Sequence, residues 1–347
     1  MSHRPTALGG IAFLRVCPRQ APRQAPGRQP SCSSPRFRAS SSSRDDSPVP
    51  DDVYVLDFDG VLCDSQGEVM SAGLAVARAR WPDSFPSNPS ADTGDLAAAL
   101  SRVRPRLISG FESVLMARHV AEEGEKAERD ILECDDWSNR VEELLGAYGA
   151  SVEDLQREFE SWRRHRIEED FDGWLGMNAL YAGVREAMDD CRSPTYFASS
   201  KNGKRLVPLL RALLGIEVDL DSPRVFHTLI PPNELKLQAL RSVAARPVAE
   251  HPGTQLHFVD DRFETLEYVL EHAEEQLLKR YQLYLASWGY ATSEEVDRAR
   301  ATPGVRVLDL KDFCELLRFG IIMNVDDGCQ DTDEEARKNV LGDFRVP

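Results

Sequence analysis

The residues that most restrict the possible folds lie in one segment, Val53-Tyr54-Val55-Leu56-Asp57-Phe58-Asp59-Gly60-Val61. Its short apolar, β-branched beginning predicts a buried strand. The strand ends at two carboxylates, and Gly60 leaves the backbone free to turn there. Because strand side chains alternate between faces, Asp57 and Asp59 would start out on the same side. Ligands bind at the carboxyl ends of strands in open α/β sheets, so the segment predicts a ligand site.

Two carboxylates this close repel each other unless a cation or a shared proton intervenes. The pair suits phosphoryl transfer through an aspartyl-phosphate, in which one carboxylate attacks phosphorus and the other handles the leaving group's proton. A divalent cation would offset the charge of the carboxylates and the phosphate. An acidic turn after a strand is also common without any function, so the motif needs support from the rest of the chain.

Composition limits the class of protein. The 347 residues, 41% of them hydrophobic, suffice for two globular units or for one with a sizeable insertion. No run of about 18 apolar residues occurs, so we predict no membrane span. A net charge of −16 disfavours nucleic-acid binding. Seven cysteines without a CxxC pair argue against a zinc site or disulfide framework and favour a reducing compartment.

Residues 1 to about 50 differ in composition from the rest. They contain eight arginines but no Asp or Glu before Asp45, and much of the remainder is Ser, Pro and Gln. Such acid-poor, Arg- and Ser-rich amino termini are typical of organelle transit peptides. The abundance of Ser and Pro favours the plastid stroma, with the mitochondrion as alternative, and a disordered basic tail is the other interpretation. At the opposite end, residues 321–347 are predicted to form a polar, acidic tail.

Two kinds of pattern follow the first strand. Residues 65–190 show helical patterns and no clear strand, which predicts an inserted α-helical cap domain. From Thr195 onward, short apolar runs alternate with helical patterns, which indicates a parallel sheet covered on both faces. We therefore predict an α/β fold whose core comprises residues 51–64 and 191–320. The helices predicted for the cap are 67–80, 95–102, 106–123, 139–148, 151–168 and 177–190.

Several of the predicted core strands end in polar residues that suit a single site. These residues are Asp57 and Asp59 after the first strand, Ser199 and Ser200 after the second, Lys236 at the start of a helix, and Asp260 and Asp261 after a later strand. In order and spacing they resemble the four motifs of the haloacid dehalogenase (HAD) superfamily. Tyr181 to Val184 and Ser287 to Tyr290 resemble stretches of its phosphoglycolate-phosphatase-like members, and the chain is similar to a plant and algal plastid group. The resemblance covers about residues 53–310 and implies a Rossmann-like core.

The resemblance also implies a role for each residue. Asp57 is the nucleophile, Asp59 is the general acid and then the general base, and Lys236 offsets negative charge on the nucleophile and phosphate. Ser199, with Ser200 beside it, hydrogen-bonds the phosphoryl oxygens.

A Mg2+ site is implied in the same way, since this hard cation takes oxygen ligands. Its ligands would be Asp57, the backbone carbonyl of Asp59, and Asp261, with Asp260 as a supporting or alternative ligand. One position departs from the family pattern. Many members carry a further acid where this chain has Thr265, and the neighbouring Glu264 is a candidate substitute.

We therefore expect a Mg2+-dependent phosphatase that hydrolyses a small-molecule phosphate ester through an aspartyl-phosphate, beneath a cap that excludes bulk water. A phosphomutase of the same family shares every core residue, and a non-catalytic scaffold that kept the fold is the alternative outside enzymes. A dehalogenase is disfavoured because it does not need Asp59. A receiver-type phosphoacceptor has no insertion of about 125 residues after its first strand.

Other charged and aromatic side chains are expected outside the site. Lys201 is interpreted as a surface charge. Arg163, Arg164 and Arg166 are interpreted as a solvated helix face, although a cap arginine could bind a substrate anion. The tryptophans Trp137, Trp162 and Trp174 are assigned to the apolar core of the cap.

Overall fold

A computed structural model describes residues 52–86, 93–227, 231–251 and 253–320. The segment predicted to be a transit peptide and the acidic tail at 321–347 lie outside these residues, so both stay predictions. Among the described helices, none is long and apolar enough to cross a membrane.

A six-stranded parallel sheet forms the centre of the fold. Its strands, numbered along the chain, are β1 Asp52–Leu56, β2 Thr195–Ala198, β3 Val225–Phe226, β4 Gln255–Asp260, β5 Tyr281–Ala286 and β6 Val305–Leu308. Their spatial order is 3-2-1-4-5-6, which is the strand order of Rossmann-type sheets. The predicted fold class is thereby confirmed. The order in which strands are added to the sheet reverses between β1 and β4, and such a switch point is where these sheets bind ligands.

Strand β1 is buried on both faces because alternate side chains enter two different apolar clusters. Tyr54 and Leu56 pack on one side of the sheet with Phe197 and Leu206. Val53 and Val55 pack on the other side with the side chains of β4 and its neighbours. This alternation follows from the two-residue period of a strand.

Helices cover both faces of the sheet. They are α9 Gly203–Leu214, α10 Pro232–Ala244, α11 Phe263–His272, α12 Glu275–Leu278, α13 Ser293–Ala301 and α14 Leu310–Phe319. Helix α9 ends at Gly215, which has a left-handed φ of 66°. Glycine adopts that conformation without steric cost, which favours a helix end at this position.

The inserted block is helical, as expected. Its helices are α1 Gln66–Arg80, α2 Thr93–Val103, α3 Glu112–Glu123, α4 Glu125–Glu133, α5 Trp137–Tyr148, α6 Val152–Glu169, α7 Phe171–Leu175 and α8 Val184–Asp190. The helix predicted from residue 106 begins only at Glu112. Pro105 lies in a short 3-10 turn, Arg104–Arg106, after which Leu107 is extended with ψ 120°. Ser151 caps the start of α6, since its hydroxyl accepts a hydrogen bond from the N–H of Asp154.

The single helix predicted for 177–190 is wrong, and so is the absence of a strand in this block. Ala179–Leu180 pairs in antiparallel fashion with Cys63–Asp64, and α8 starts only after Gly183, whose φ is +81°. The pairing partner lies more than a hundred residues away, so local periodicity could not reveal it.

The insertion and the sheet have separate apolar cores. The helices of the insertion enclose their own core, which includes Leu115, Trp137 and Phe159, with Trp162 packed against it. Trp174 instead belongs to a core of the sheet, together with Val184 of α8. The assignment of Trp174 to the cap core is therefore wrong, since the side chain packs from α7 into an apolar core of the sheet.

Candidate active site

The sheet order brings three acidic residues together at the switch point. Asp57 directly follows β1, Asp260 is the last residue of β4, and Asp261 follows it. The N–H of Asp57 donates to the carbonyl of Val259 at 3.0 Å, which extends the pairing of the two strands. Side-chain oxygens of Asp57, Asp260 and Asp261 lie within 4.8 Å of one another, and all three residues are buried. We call these residues the acidic cluster.

Lys236 supplies a positive charge to the acidic cluster. Its Nζ donates to Asp57 Oδ2 at 2.6 Å and to Asp260 Oδ2 at 2.5 Å. Helix α10 starts at Pro232, so Lys236 lies one turn inside the helix and not at its first residue. Burial on its own would lower the pKa of Lys236, but the carboxylates of Asp260 and Asp57 raise it above its ordinary value. The ammonium is therefore retained at neutral pH.

One ammonium does not balance three carboxylates. Burial raises the pKa of Asp57 to about 7, although Lys236 opposes that rise. Burial, together with the charge of Asp260, likewise raises the pKa of Asp261 to about 6. A buried set of oxygen ligands with uncompensated negative charge fits a hard divalent cation such as Mg2+.

Two glycines allow the backbone to approach the acidic cluster closely. Gly60 has a φ of +82°, and a Cβ there would lie 1.9 Å from Asp261 Oδ2. A Cβ on Gly289 would lie 2.3 Å from the carbonyl oxygen of Gly60. In the same turn, the N–H of Tyr290 donates to Asp261 Oδ2 at 2.9 Å. The Ser287 to Tyr290 stretch thus fixes the orientation of a cluster carboxylate.

Asp59 lies at the cavity wall with Lys201 beside it. Lys201 Nζ is 3.3 Å from Asp59 Oδ1 and 3.9 Å from Glu68 Oε2, and its side chain is 2% exposed. The interpretation of Lys201 as a surface charge is therefore wrong. Asp59 Oδ1 is buried and accepts no hydrogen bond from any residue in the described ranges, and the Lys201 ammonium is its charged neighbour.

The two serines after β2 occupy different positions. Ser199 is fully buried, and its Oγ accepts a hydrogen bond from the N–H of Lys201 at 3.2 Å. Its hydroxyl proton is still available to a neighbouring oxygen. Ser200 and Lys201 contribute directly to the cavity wall. The phosphate-binding roles of Ser199 and Ser200 stay predictions.

At the position that departs from the family pattern, the side chain is hydrogen-bonded to a residue outside the acidic cluster. The hydroxyl of Thr265 donates to Asn233 Oδ1 at 3.0 Å. Glu264 Oε2 lies 3.3 Å from an Arg262 guanidinium nitrogen, and the Glu264 side chain is 55% exposed. The carboxylate of Asp260 is oriented by a hydrogen bond that its Oδ1 accepts from the N–H of Arg262 at 3.0 Å. Glu264 is therefore not positioned to replace the missing acid.

A cavity of about 730 Å³ lies between the acidic cluster and the helical cap. Its wall includes Asp57, Asp59, Lys236 and Asp261 from the core, and Arg104, Phe111, Phe159 and Arg163 from the cap. Arg262 of the core also donates to the carbonyl of Leu107 in the cap at 3.0 Å. The site is thus covered by the inserted domain.

Arg163 is buried and does not belong to a solvated face as expected. Its guanidinium donates two hydrogen bonds to the carboxylate of Glu68, which is fully buried on α1. On the same helix as Arg163, Glu160 pairs with Arg205 of α9, so a charged contact joins the cap to the core. Glu160, Arg163 and Arg205 border the cavity, so the interpretation of Arg163 as part of a solvated helix face is wrong.

We predict that Glu68→Gln lowers the free energy of unfolding by about 3 kcal/mol, because it removes the buried carboxylate that pairs with Arg163 and leaves the half-exposed Glu160 as the remaining partner of a buried charge. Burial alone would raise the pKa of Glu68, but Arg163 outweighs it and lowers the pKa to about 2. The stabilisation is therefore present above the ordinary value of 4.5 and disappears as pH falls towards 2. Chemical denaturation at several pH values should show the difference between parent and variant shrinking in acid.

Glu143→Gln is the matched control, because Glu143 forms an exposed pair with Arg140. It should cost less than about 1 kcal/mol. Equal losses in the two variants would contradict a structural role for the Glu68 pair.

Comparisons with known proteins add the following. No protein-family model matches the chain, and no curated protein matches it. Similar solved structures include a predicted phosphatase from Clostridium acetobutylicum, with 12% identity, coverage of 76% of this chain and 96% of that one, and a TM-score of 0.45. A haloacid dehalogenase-like hydrolase from Streptococcus pneumoniae has 12% identity, 74% and 92% coverage, and a TM-score of 0.39. Protein tyrosine kinase A from Mycobacterium tuberculosis has 19% identity, 76% and 97% coverage, and a TM-score of 0.43. At such values the chemistry must be argued from the residues of the site itself.

Proposed function

We propose that this protein is a Mg2+-dependent phosphatase that hydrolyses a small-molecule phosphate ester through an aspartyl-phosphate. The observation that carries the proposal is the buried acidic cluster at the switch point, bridged by Lys236 and open to a capped cavity. The cavity volume of about 730 Å³ lies within the range of small-molecule sites.

In the first step, a carboxylate oxygen of Asp57 attacks phosphorus and the bond to the ester oxygen breaks. Asp59 gives its proton to the departing oxygen, and Lys236 stabilises the negative charge on the nucleophile and the phosphoryl group. In the second step, Asp59 takes a proton from the water that attacks phosphorus, and the Asp57 carboxylate is released with inorganic phosphate. The proposed assignment gives Asp59 both proton transfers because its side chain lines the cavity beside Asp57.

Oxygens of Asp57 and Asp261 would hold Mg2+, with Asp260 next to them. When bound, the cation would neutralise charge on the carboxylates and the phosphoryl oxygens. Cation binding is favoured because the ligands are already oriented. The N–H of Tyr290 holds the carboxylate of Asp261, and Lys236 holds that of Asp57.

Removal of metal tests this proposal directly. We expect excess chelator to abolish turnover of phosphate esters by the purified protein, and added Mg2+ to restore it. Calcium should inhibit, because its larger and looser coordination shell disturbs the alignment of nucleophile and phosphorus. The measurement is release of inorganic phosphate from a panel of sugar, glycolate and nucleotide phosphates. Full turnover in chelator would contradict the ligand assignment, and no turnover of any ester would favour a non-catalytic scaffold.

We also propose that residues 1–50 direct the protein to the plastid stroma, on the basis of their Arg- and Ser-rich, acid-poor composition. A fluorescent protein fused behind these residues should enter plastids of plant cells. Fluorescence in mitochondria would support the alternative organelle, and diffuse fluorescence in the cytosol would contradict a transit peptide.

A further inference from the structure

One arginine in the cavity wall differs from the others in its partners. Each of the other three arginines in the wall has a carboxylate within salt-bridge distance, and these pairs are Arg163 with Glu68, Arg205 with Glu160, and Arg262 with Glu264. Arg104, in the 3-10 turn of the cap, is 7% exposed. Within residues 52–86, 93–227, 231–251 and 253–320, its Nε has no hydrogen-bond partner and no carboxylate forms an ion pair with its guanidinium.

The side chain of Arg104 is held by an aromatic ring. Its guanidinium carbon lies 3.5 Å from the centroid of the Tyr290 ring, which is a cation–π contact. Tyr290 is itself fixed at both ends, because its hydroxyl donates to Asp64 at 2.8 Å and its N–H donates to Asp261. Arg104 is thus held in the cavity wall by a residue that also contacts the acidic cluster.

The tyrosine does not neutralise the arginine. The Tyr290 hydroxyl keeps its proton, which it donates to Asp64 Oδ1, and so it offers Arg104 no negative charge. A cation buried without an anionic partner is costly. The chain has a net charge of −16, so carboxylates are abundant, yet none in the described residues pairs with Arg104. Its guanidinium is therefore available to a negatively charged ligand.

We propose that Arg104 binds a second anionic group of the substrate, either a carboxylate or a second phosphate, while the reacting phosphoryl group lies at Asp57. This inference rests on the proposed phosphatase function and narrows its substrates to esters with two anionic groups. Arg104 comes from the cap, whereas Asp57 and Lys236 come from the core, so one ligand would contact both domains. The planar guanidinium can donate two parallel hydrogen bonds to either kind of anion.

Selectivity between substrates tests the inference. The probes are 3-phosphoglycerate for a carboxylate, fructose 1,6-bisphosphate for a second phosphate, and glycerol 2-phosphate for an ester without a second anionic group. The parent should prefer one of the doubly anionic esters. In Arg104→Gln, the ratio of kcat/KM for that ester to kcat/KM for glycerol 2-phosphate should fall by roughly 10- to 100-fold, the usual effect of losing charge-assisted hydrogen bonds.

Two further variants separate this role from a loss of folding. Arg102→Gln is the matched control, because Arg102 lies on the same segment of the cap but pairs with Glu128 on the surface. Its selectivity ratio should equal that of the parent. Arg104→Lys keeps the charge without the planar fork, so it should retain part of the selectivity. Thermal unfolding of each variant verifies that the cap is intact.

The inference is overturned if the parent shows no preference for doubly anionic esters, or if Arg104→Gln keeps the parent's ratio. If the parent hydrolyses no ester at all, the proposed function fails separately. In that case the anion site is tested by binding alone, through calorimetric titration with 3-phosphoglycerate, fructose 1,6-bisphosphate and glycerol 2-phosphate in the presence of Mg2+. Tighter binding of either doubly anionic probe that depends on Arg104 would support the anion site, and equal binding by parent and Arg104→Gln would reject it.

Discussion

Asp57→Asn is expected to reduce phosphatase turnover by at least about 10⁴-fold, as removal of a catalytic nucleophile does in other enzymes. An amide is a very poor nucleophile, so the aspartyl-phosphate cannot form. The fold should be unaffected, since the substitution removes one of three buried negative charges and Lys236 keeps its bond to Asp260. Steady-state release of phosphate and thermal unfolding measure the two effects separately.

Glu264→Gln is the matched control for this experiment. Glu264 also lines the cavity, but it is 55% exposed and pairs with Arg262. We expect this variant to keep turnover and its response to Mg2+. If Asp57→Asn turned over within about tenfold of the parent, Asp57 could not be the nucleophile.

The acidic cluster could be predicted from the sequence because each of its strands is recognisable from a few consecutive residues. A buried strand that ends in carboxylates can be recognised from a few residues, as for Val53 to Asp59 and for Leu256 to Asp261. Parallel strands then place their carboxyl ends at one edge of the sheet, and the observed order puts β1 beside β4. Neighbouring strands account for the contact of Asp57 with Asp260 and Asp261.

The burial of the charged residues on the cap side of the site could not be predicted from the sequence in this way. Glu68 and Arg163 are 95 residues apart, and each one separately resembles a helix-surface charge. Only the packing of α1 against α6 buries both. For Lys201 a signal did exist, since it follows Ser199 and Ser200 directly at a strand end, where site loops begin.

Arg104 illustrates the same difficulty in another form. Its neighbour Pro105 indicates a break in the helix, but the stacking partner Tyr290 lies 186 residues further on. The sequence offers no other signal for Arg104, because a single basic residue near a helix end is usually solvated. Its burial is a consequence of the cap docking on the core.

Asp59→Asn is expected to lower kcat on alkyl phosphates by about 10²–10⁴-fold, the usual contribution of general acid–base catalysis. An alkoxide is a poor leaving group and needs the proton of Asp59, whereas p-nitrophenolate hardly needs it. The first step with p-nitrophenyl phosphate should therefore suffer much less. The second step should slow with either substrate, because the attacking water has lost its base.

Rapid mixing with p-nitrophenyl phosphate separates these steps. Since the first step stays fast and the second becomes slow, Asp59→Asn should show a burst of p-nitrophenol followed by a slow steady state. Asp64→Asn is the matched control, because this nearby carboxylate accepts hydrogen bonds from Tyr290 and Gln66 and does not line the cavity. Its losses should not depend on the leaving group.

Equal losses on both substrates in Asp59→Asn, without a burst, would mean that another residue transfers the proton. Lys201 would then be the next candidate, since its Nζ lies 3.3 Å from Asp59 Oδ1 in the same cavity wall.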